Sequence, residues 1–278
     1  MRPLHKNLLV TLFAAAAGCT PIQQRGLDPV PAPPATSTAP AAGASTQAIA
    51  TAPAAMPGPT AQQLATWERE RNDWPNFARY RQANAQLGLP APGENRVVFM
   101  GNSITDAWAR RFAIDFPGKP YVGRGISGQT TPQMLVRFRQ DVVALKPKVV
   151  VILAGINDIA GNTGPSSLEM IEDNLMSMTE IAKANGIRVV LSSVLPAFDF
   201  PWRRGLTPAP KVIALNGWMK RYAQDAGVVF LDYHSRMADA RGGLPPNLAS
   251  DEVHPTEAGY KIMAPMAEAA IAEALGQR

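Results

Sequence analysis

The chain has 278 residues, a single cysteine and a formal net charge of +5 at pH 7. One cysteine excludes an intrachain disulfide, and the lack of any Lys/Arg block leaves no electrostatic footprint for nucleic acid. With 46% hydrophobic residues, the chain can still build one α/β domain with a full core after a leader and a linker are set aside.

In chain order, Arg2, His5 and Lys6 form a basic start, followed by an apolar run from Leu8 to Ala17. That run is shorter than the ~20 residues needed to span a bilayer and reads as a secretion leader. Ala16-Ala17-Gly18-Cys19 resembles a bacterial lipobox, in which Cys19 is lipidated and becomes the first mature residue. The alternative is an ordinary signal peptide cut after Ala15-Ala16-Ala17. The lipobox is preferred because Cys19 is the sole thiol, although Ala16 stands where that motif usually has Leu. Residues 1–18 are therefore expected to be a lipoprotein-type leader. The mature protein would be exported and held to a membrane by an N-terminal lipid anchor, on the periplasmic or cell-surface side. Losing Arg2 and Lys6 would lower the net charge to +3, with 25 basic against 22 acidic groups. Residues 19–61 are dominated by Ala, Pro, Thr and Gln and hold few large apolar side chains, so they cannot offset the entropy of folding. They read as a tether that would reach on the order of 40 Å as a coil, or else as a low-complexity tail without a specific role.

From residue 62 onward the pattern is that of one domain. Ala61 to Leu87, with Trp67, Trp74 and Tyr80, predicts a helical preface packed on a sheet. Buried strands are expected at Val97–Met100, Pro120–Val122, Val149–Leu153, Val189–Leu191 and Val228–Leu231, which are short, apolar and mostly β-branched. Helical periodicity fills 132–145, 167–185, 210–226 and 256–275. Thr131-Pro132 reads as an N-cap with proline at the first helical position, and Asn185-Gly186 as a stop. This alternation predicts a three-layer α/β/α domain on a parallel sheet, with the ligand crevice at the carboxyl ends of the strands.

Four short stretches fall at or near such ends: Gly101-Asn102-Ser103-Ile104, Gly125-Ile126-Ser127-Gly128, Gly155-Ile156-Asn157-Asp158 and Asp251-Glu252-Val253-His254. Ser103 offers a hydroxyl nucleophile, which is weak without a base. His254 has Asp251 three residues before it, close enough for the carboxylate to orient the imidazole. His234, two residues after Asp232, is the competing base, with a bland surface role as its preferred reading. Gly128 offers a backbone N–H that nothing shields, and Asn157 a side-chain N–H. With the Ser103 N–H they would make an oxyanion hole. Asp158 is expected to hold its loop rather than take part in chemistry.

Gly123-Arg124-Gly125-Ile126-Ser127-Gly128 also fits a dinucleotide fingerprint. Its helix should begin only after Thr131, however, and the following strand ends in Ala154-Gly155 without an acidic residue for a ribose. Histidine and cysteine are too few for a metal site.

Read together and in this order, the four stretches resemble the SGNH hydrolases, also called GDSL esterases/lipases. The match lies at Ser103, Gly128, Asn157 and His254, with Asp251 in the closing Asp-x-x-His-Pro block, and it runs over nearly all of the chain after the tether. Asn102 stands where the family usually has Asp. The resemblance implies a flavodoxin-like five-stranded parallel sheet, a Ser103/Asp251/His254 mechanism and no cofactor. It points to the lysophospholipase and platelet-activating-factor acetylhydrolase-like branch or to the acetyl esterases. The expected function is hydrolysis of short acyl esters, above all acetyl, on carbohydrate. A lysophospholipase or an acyltransferase would use the same site, and a glycan-binding surface lipoprotein with a dead crevice is the alternative from another class. Trp108 and the loop with Phe198, Phe200, Trp202, Arg203 and Arg204 are candidates for substrate contact. The oligomeric state has no signature in the sequence.

Overall fold

In the computed structural model, which describes residues 58–276, five strands form one parallel sheet. They are β1 (Val97–Gly101), β2 (Tyr121–Gly125), β3 (Val149–Leu153), β4 (Arg188–Ser192) and β5 (Val229–Leu231). Their spatial order is β2-β1-β3-β4-β5, the flavodoxin-like order, which reverses direction between β1 and β3. Every expected strand is present. The expected Pro120–Val122 strand starts one residue later and runs on through Gly123-Arg124-Gly125, with Gly101 level with Gly125.

Strand alternation sorts the core into two halves. Val98, Met100, Val150, Ile152, Val189 and Leu191 face one side. There they meet α5 (Thr131–Asp141), α7 (Leu168–Ala184) and α8 (Ala209–Ala226), through residues such as Phe138, Leu175 and Leu215. Val97, Phe99, Val149, Val151 and Val190 face the other side. That side is covered by α3 (Ser103–Ala109), α4 (Phe112–Asp115) and α10 (Glu257–Leu275). Because both faces are covered, the strands read as unbroken apolar runs.

The remaining helices are α1 (Ala61–Asn72), α2 (Ala78–Leu87), α6 (Ile156–Ile159) and α9 (His234–Met237). The preface is helical as expected, but α1 buries none of its residues. It is α2 that docks, through Tyr80, whose hydroxyl donates to the Gly125 carbonyl. The cap of α5 lies one residue earlier than Thr131-Pro132 implies. Thr130 is the N-cap, and its N–H donates to the Gln133 side chain at 3.0 Å. The expected stop at Asn185-Gly186 holds, with Asn185 as the C-cap of α7 and Gly186 left-handed. The leader, Cys19 and nearly all of the tether lie outside the described residues.

A candidate active site at the strand ends

β1 ends at Gly101, and Ser103 opens α3 after a single linking residue, Asn102, whose side chain accepts from the Ile104 N–H at 3.3 Å. The turn is this tight because α3 lies directly against β2. A Cβ on Gly125 would collide with the backbone of Asp106, and one on Gly123 with Ala109. Two glycines in β2 thus let the serine helix sit on the sheet.

The Ser103 Oγ lies 2.8 Å from His254 Nε2, and His254 Nδ1 lies 2.7 Å from Asp251 Oδ2. With Nδ1–H donated to the carboxylate, Nε2 is the lone pair that faces the serine proton. The other carboxylate oxygen of Asp251 accepts the backbone N–H groups of Val253 at 3.2 Å and His254 at 2.8 Å. Burial pushes the Asp251 carboxyl up, but these bonds to His254 and Val253 outweigh it and hold the group below the usual carboxylate range. The loop is closed by a bridge between Ala249 and Pro255 and turns through Glu252 at φ 72°. α10 follows at once, capped by Thr256, and the Tyr260 hydroxyl donates to the Ile104 carbonyl at 2.9 Å. That bond joins the histidine's helix to the serine's.

His234 has a different setting. Burial pushes its imidazole down, its Nε2 is buried without a partner among the described residues, and the Asp232 carboxylate accepts from the Ser235 N–H at 3.0 Å.

The opposite wall is built from β2, β3 and α5. Gly155 adopts φ 114° to start α6, which carries Asn157. The Asn157 Nδ2 donates to the Gln129 carbonyl at 2.9 Å and is nearly buried. Asp158 grips the start of α5, accepting from the Thr131 N–H at 3.0 Å and the Thr131 hydroxyl at 2.6 Å. Burial pushes its carboxyl up to about 6 despite those bonds. Gly128 sits at φ 82°, exposed, with its carbonyl accepting from the Asn162 side chain at 3.1 Å.

One residue that the sequence does not flag knits this wall to the serine turn. Arg137 is fully buried. It donates to Gln129 Oε1 at 2.6 Å, to the Gly101 carbonyl at 3.0 Å and to Asp141 at 2.9 Å. Its pairing with Asp141 at i,i+4 looks from sequence like an ordinary surface helix pair. Gly101 also accepts the Ile126 N–H at 3.2 Å.

The expected substrate contacts need correction. Trp108 is 1% exposed: it stacks on Tyr260 with ring centroids 5.4 Å apart and donates to Asp115 at 2.9 Å. It belongs to the aromatic core because the two β2 glycines draw α3 inward. Phe200 is likewise fully buried, with its ring 5.2 Å from that of Trp202. Neither can touch a substrate. Phe198 is partly exposed but carries the Arg241 guanidinium over its ring. Only Trp202 lies against the triad, 46% exposed with its ring 6.0 Å from that of His254. The two arginines of this loop are occupied as clamps. Arg203 donates to the Ala160 carbonyl at 2.6 Å, and Arg204 to Glu252 at 2.6 Å.

Beneath the site, between the ends of β1, β3 and β4, lies an apolar cavity of about 10 Å³ lined by Ile104, Leu153, Pro196, Ala197 and Val253. It has room for about one water-sized sphere.

Residues 94–262 match the model of the GDSL-like Lipase/Acylhydrolase family. A solved GDSL-like lipase from Bacteroides thetaiotaomicron is 46% identical, with a TM-score of 0.70 over 72% of this chain and 99% of that one. An acetylxylan esterase of Geobacillus stearothermophilus is 29% identical over 154 residues, 51% of this chain and 68% of that protein. An uncharacterized lipoprotein of Bacillus subtilis is 35% identical over 78 residues, which span 27% of this chain and 32% of that protein.

Proposed function

The chain belongs to the GDSL-like lipase/acylhydrolase family, whose members hydrolyse carboxylic esters, and from that premise we propose that it is a serine esterase releasing short acyl groups, chiefly acetyl, from carbohydrate. The observation that carries the mechanism is the unbroken relay from Ser103 through His254 to Asp251 at 2.8 and 2.7 Å.

In this mechanism His254 Nε2 takes the Ser103 proton as the oxygen attacks the ester carbonyl. Asp251 fixes the tautomer and stabilises the imidazolium that forms. The negative charge that develops on the carbonyl oxygen is met by the N–H groups of Ser103 and Gly128 and by Asn157. The Asn157 carboxamide has two N–H donors, and only one is needed to hold Gln129. Imidazolium then returns its proton to the leaving sugar oxygen, and water repeats the cycle on the acyl-serine.

The small apolar cavity beside Asn102 and Val253, the neighbours of Ser103 and His254, supports a short acyl group. It suits a methyl and has no room for an alkyl chain. The similarity to an acetylxylan esterase supports a carbohydrate ester. The substrate would then lie against Trp202, on the His254 side where the leaving group departs.

The decisive experiment is hydrolysis of p-nitrophenyl esters by wild type and Ser103→Ala. The variant should fold and lose the activity, and activity within a few-fold of wild type would overturn the assignment. Across a chain series kcat/KM should peak between acetyl and butyryl. Each buried CH₂ is worth ~0.8 kcal/mol, so a long-chain lipase would instead keep rising to dodecanoyl.

For the rest of the chain we propose a leader over 1–18, a tether over 19–61 ending in lipid at Cys19, and a hydrolase domain over 62–278. The lipobox and the similarity to a lipoprotein of Bacillus subtilis support this. Metabolic labelling with a fatty acid in a bacterial host tests it. Label should enter the wild type and be lost in Cys19→Ala, and an unlabelled wild type would mean an ordinary signal peptide.

A further inference from the structure

A second cavity, of about 250 Å³, opens beside Gly128. One wall is the Gly128 loop with Asn162 and Thr163, and the other is the end of α1, with Arg69, and the turn that follows it, with Asp73 and Trp74. That second wall precedes residue 94 and so lies outside the stretch that matches the family model. We propose that this cavity is a subsite for a further sugar ring of an oligosaccharide ester, with Trp74 as its aromatic platform. The inference rests on the carbohydrate-ester reading above and adds where the rest of the glycan binds.

Three observations carry it. The first is chemistry. One large aromatic side chain, 39% exposed, faces a lining of amide, hydroxyl, carboxylate and guanidinium groups. A sugar ring offers that lining its hydroxyls and the indole its apolar face. An alkyl chain would strip water from the same polar groups without replacing their hydrogen bonds.

The second is rigidity. An exposed tryptophan on a loose turn would lose much of its binding energy to ordering. Here the turn is pinned from beneath. The buried side chains of Gln133 and Gln129 donate to the Trp74 carbonyl at 2.8 Å and the Pro75 carbonyl at 2.7 Å. Asp73 accepts the Phe77 N–H at 2.8 Å. The platform is held in place before any ligand arrives.

The third is position. Asn162 lines the cavity and also holds the Gly128 carbonyl. The subsite therefore shares a wall with the backbone assigned to the oxyanion. Trp202 lies beside His254, whereas Trp74 lines the cavity that opens beside Gly128, so each tryptophan goes with a different wall.

The test compares kcat/KM on p-nitrophenyl acetate, acetylated xylose and acetylated xylotriose for wild type, Trp74→Ala and Trp74→Phe. Wild type should favour the trisaccharide over the monosaccharide. In Trp74→Ala the ratio of trisaccharide to p-nitrophenyl acetate activity should fall about tenfold, the scale expected when ~50 Å² of apolar contact is lost. Trp74→Phe should restore most of it. Taking a ratio cancels any general loss of folded enzyme. No gain with sugar length in wild type, or an unchanged ratio in Trp74→Ala, overturns the subsite while leaving the carbohydrate reading standing. Cleavage of p-nitrophenyl acetate with neither acetylated sugar touched overturns the carbohydrate reading and the subsite with it.

Discussion

The two walls of the candidate site are built in opposite ways. On the glycine side, Asn157, Asp158, Thr131, Gln129 and Arg137 are all nearly or fully buried and hold one another through hydrogen bonds that join α6, α5 and the loop before α5. On the histidine side, the His254 and Asp251 side chains are 30% and 36% exposed on a loop. Much of that loop's order comes from Asp251 itself, which accepts two backbone N–H groups as well as the imidazole. The difference fits the roles we propose for the two walls. Oxyanion donors stabilise charge only if they are already aimed and do not reorganise, so their support is dense and dry. A base that takes a proton from serine and gives it to a leaving alcohol needs an open approach and tolerates a lighter frame.

Breaking the histidine side at its centre should have the largest effect. His254→Ala should lower kcat by roughly 10⁴-fold or more, whereas His234→Ala should stay within a few-fold. The reverse order, read by steady-state kinetics on one ester, would place the base wrongly. Next comes the glycine side. Asn157→Ala should cost ~10²–10³ in kcat with little change in KM, and an effect confined to KM would mean that Asn157 binds ground state and transition state alike.

Removing the buried cation tests whether the dense wall is held as described. Arg137→Met leaves Asp141 without its guanidinium partner, and breaking a buried pair in this way costs about 3–5 kcal/mol. Thermal melts should show Tm lowered by ~10 °C, and a shift of only a few degrees would show that the network is not needed.

A smaller effect comes from pH. Burial lifts the Asp158 carboxyl from its ordinary 3.8 to about 6, so the fold favours its protonated form. Its contribution is fully present below pH ~4 and is lost as pH rises through 6, a decline of about 3 kcal/mol. Urea melts at pH 4 and pH 7 should show this decline in wild type relative to Asp158→Asn. Equal pH dependence in the two would remove Asp158 as its source. The smallest effect should come from Arg204→Ala, which cuts an exposed clamp on the Glu252 turn. Tm should not move, and kcat should fall only a few-fold. A loss as large as that of Asn157→Ala would mean that the base loop depends on its surface ties after all.

This contrast also explains what could be read from the sequence. The groups we propose for the chemistry sit in short local patterns, so Ser103, Gly128, Asn157, Asp251 and His254 stand out there, as do the long helices with regular periodicity. The supports were not. Arg137 looks like half of a helix-surface pair, because sequence spacing does not reveal which face of α5 points inward. Trp108 looks like a crevice aromatic until the two β2 glycines are seen to draw α3 onto the sheet. Those same glycines hide the second half of β2, since glycine carries little strand signal. The arginines of the 198–204 loop look like free sugar donors because their partners, a main-chain carbonyl and a distant glutamate, have no local signature.

Gln133 and Gln140 of α5 and Gln129 just before it hold the carbonyls of Trp74, Phe77 and Pro75, and this bears on where the hydrolase can be cut. A piece trimmed to the family match would begin at residue 94. It would lose those acceptors and the Tyr80 hydroxyl on Gly125. Each buried donor left without a partner costs about 1–3 kcal/mol. Gln129, one of the donors stranded, is also the residue whose carbonyl holds Asn157. The smallest active unit must therefore start before Trp74. For this enzyme the preface is part of the working body, and a graft or truncation designed from homology alone would loosen the wall that carries Asn157.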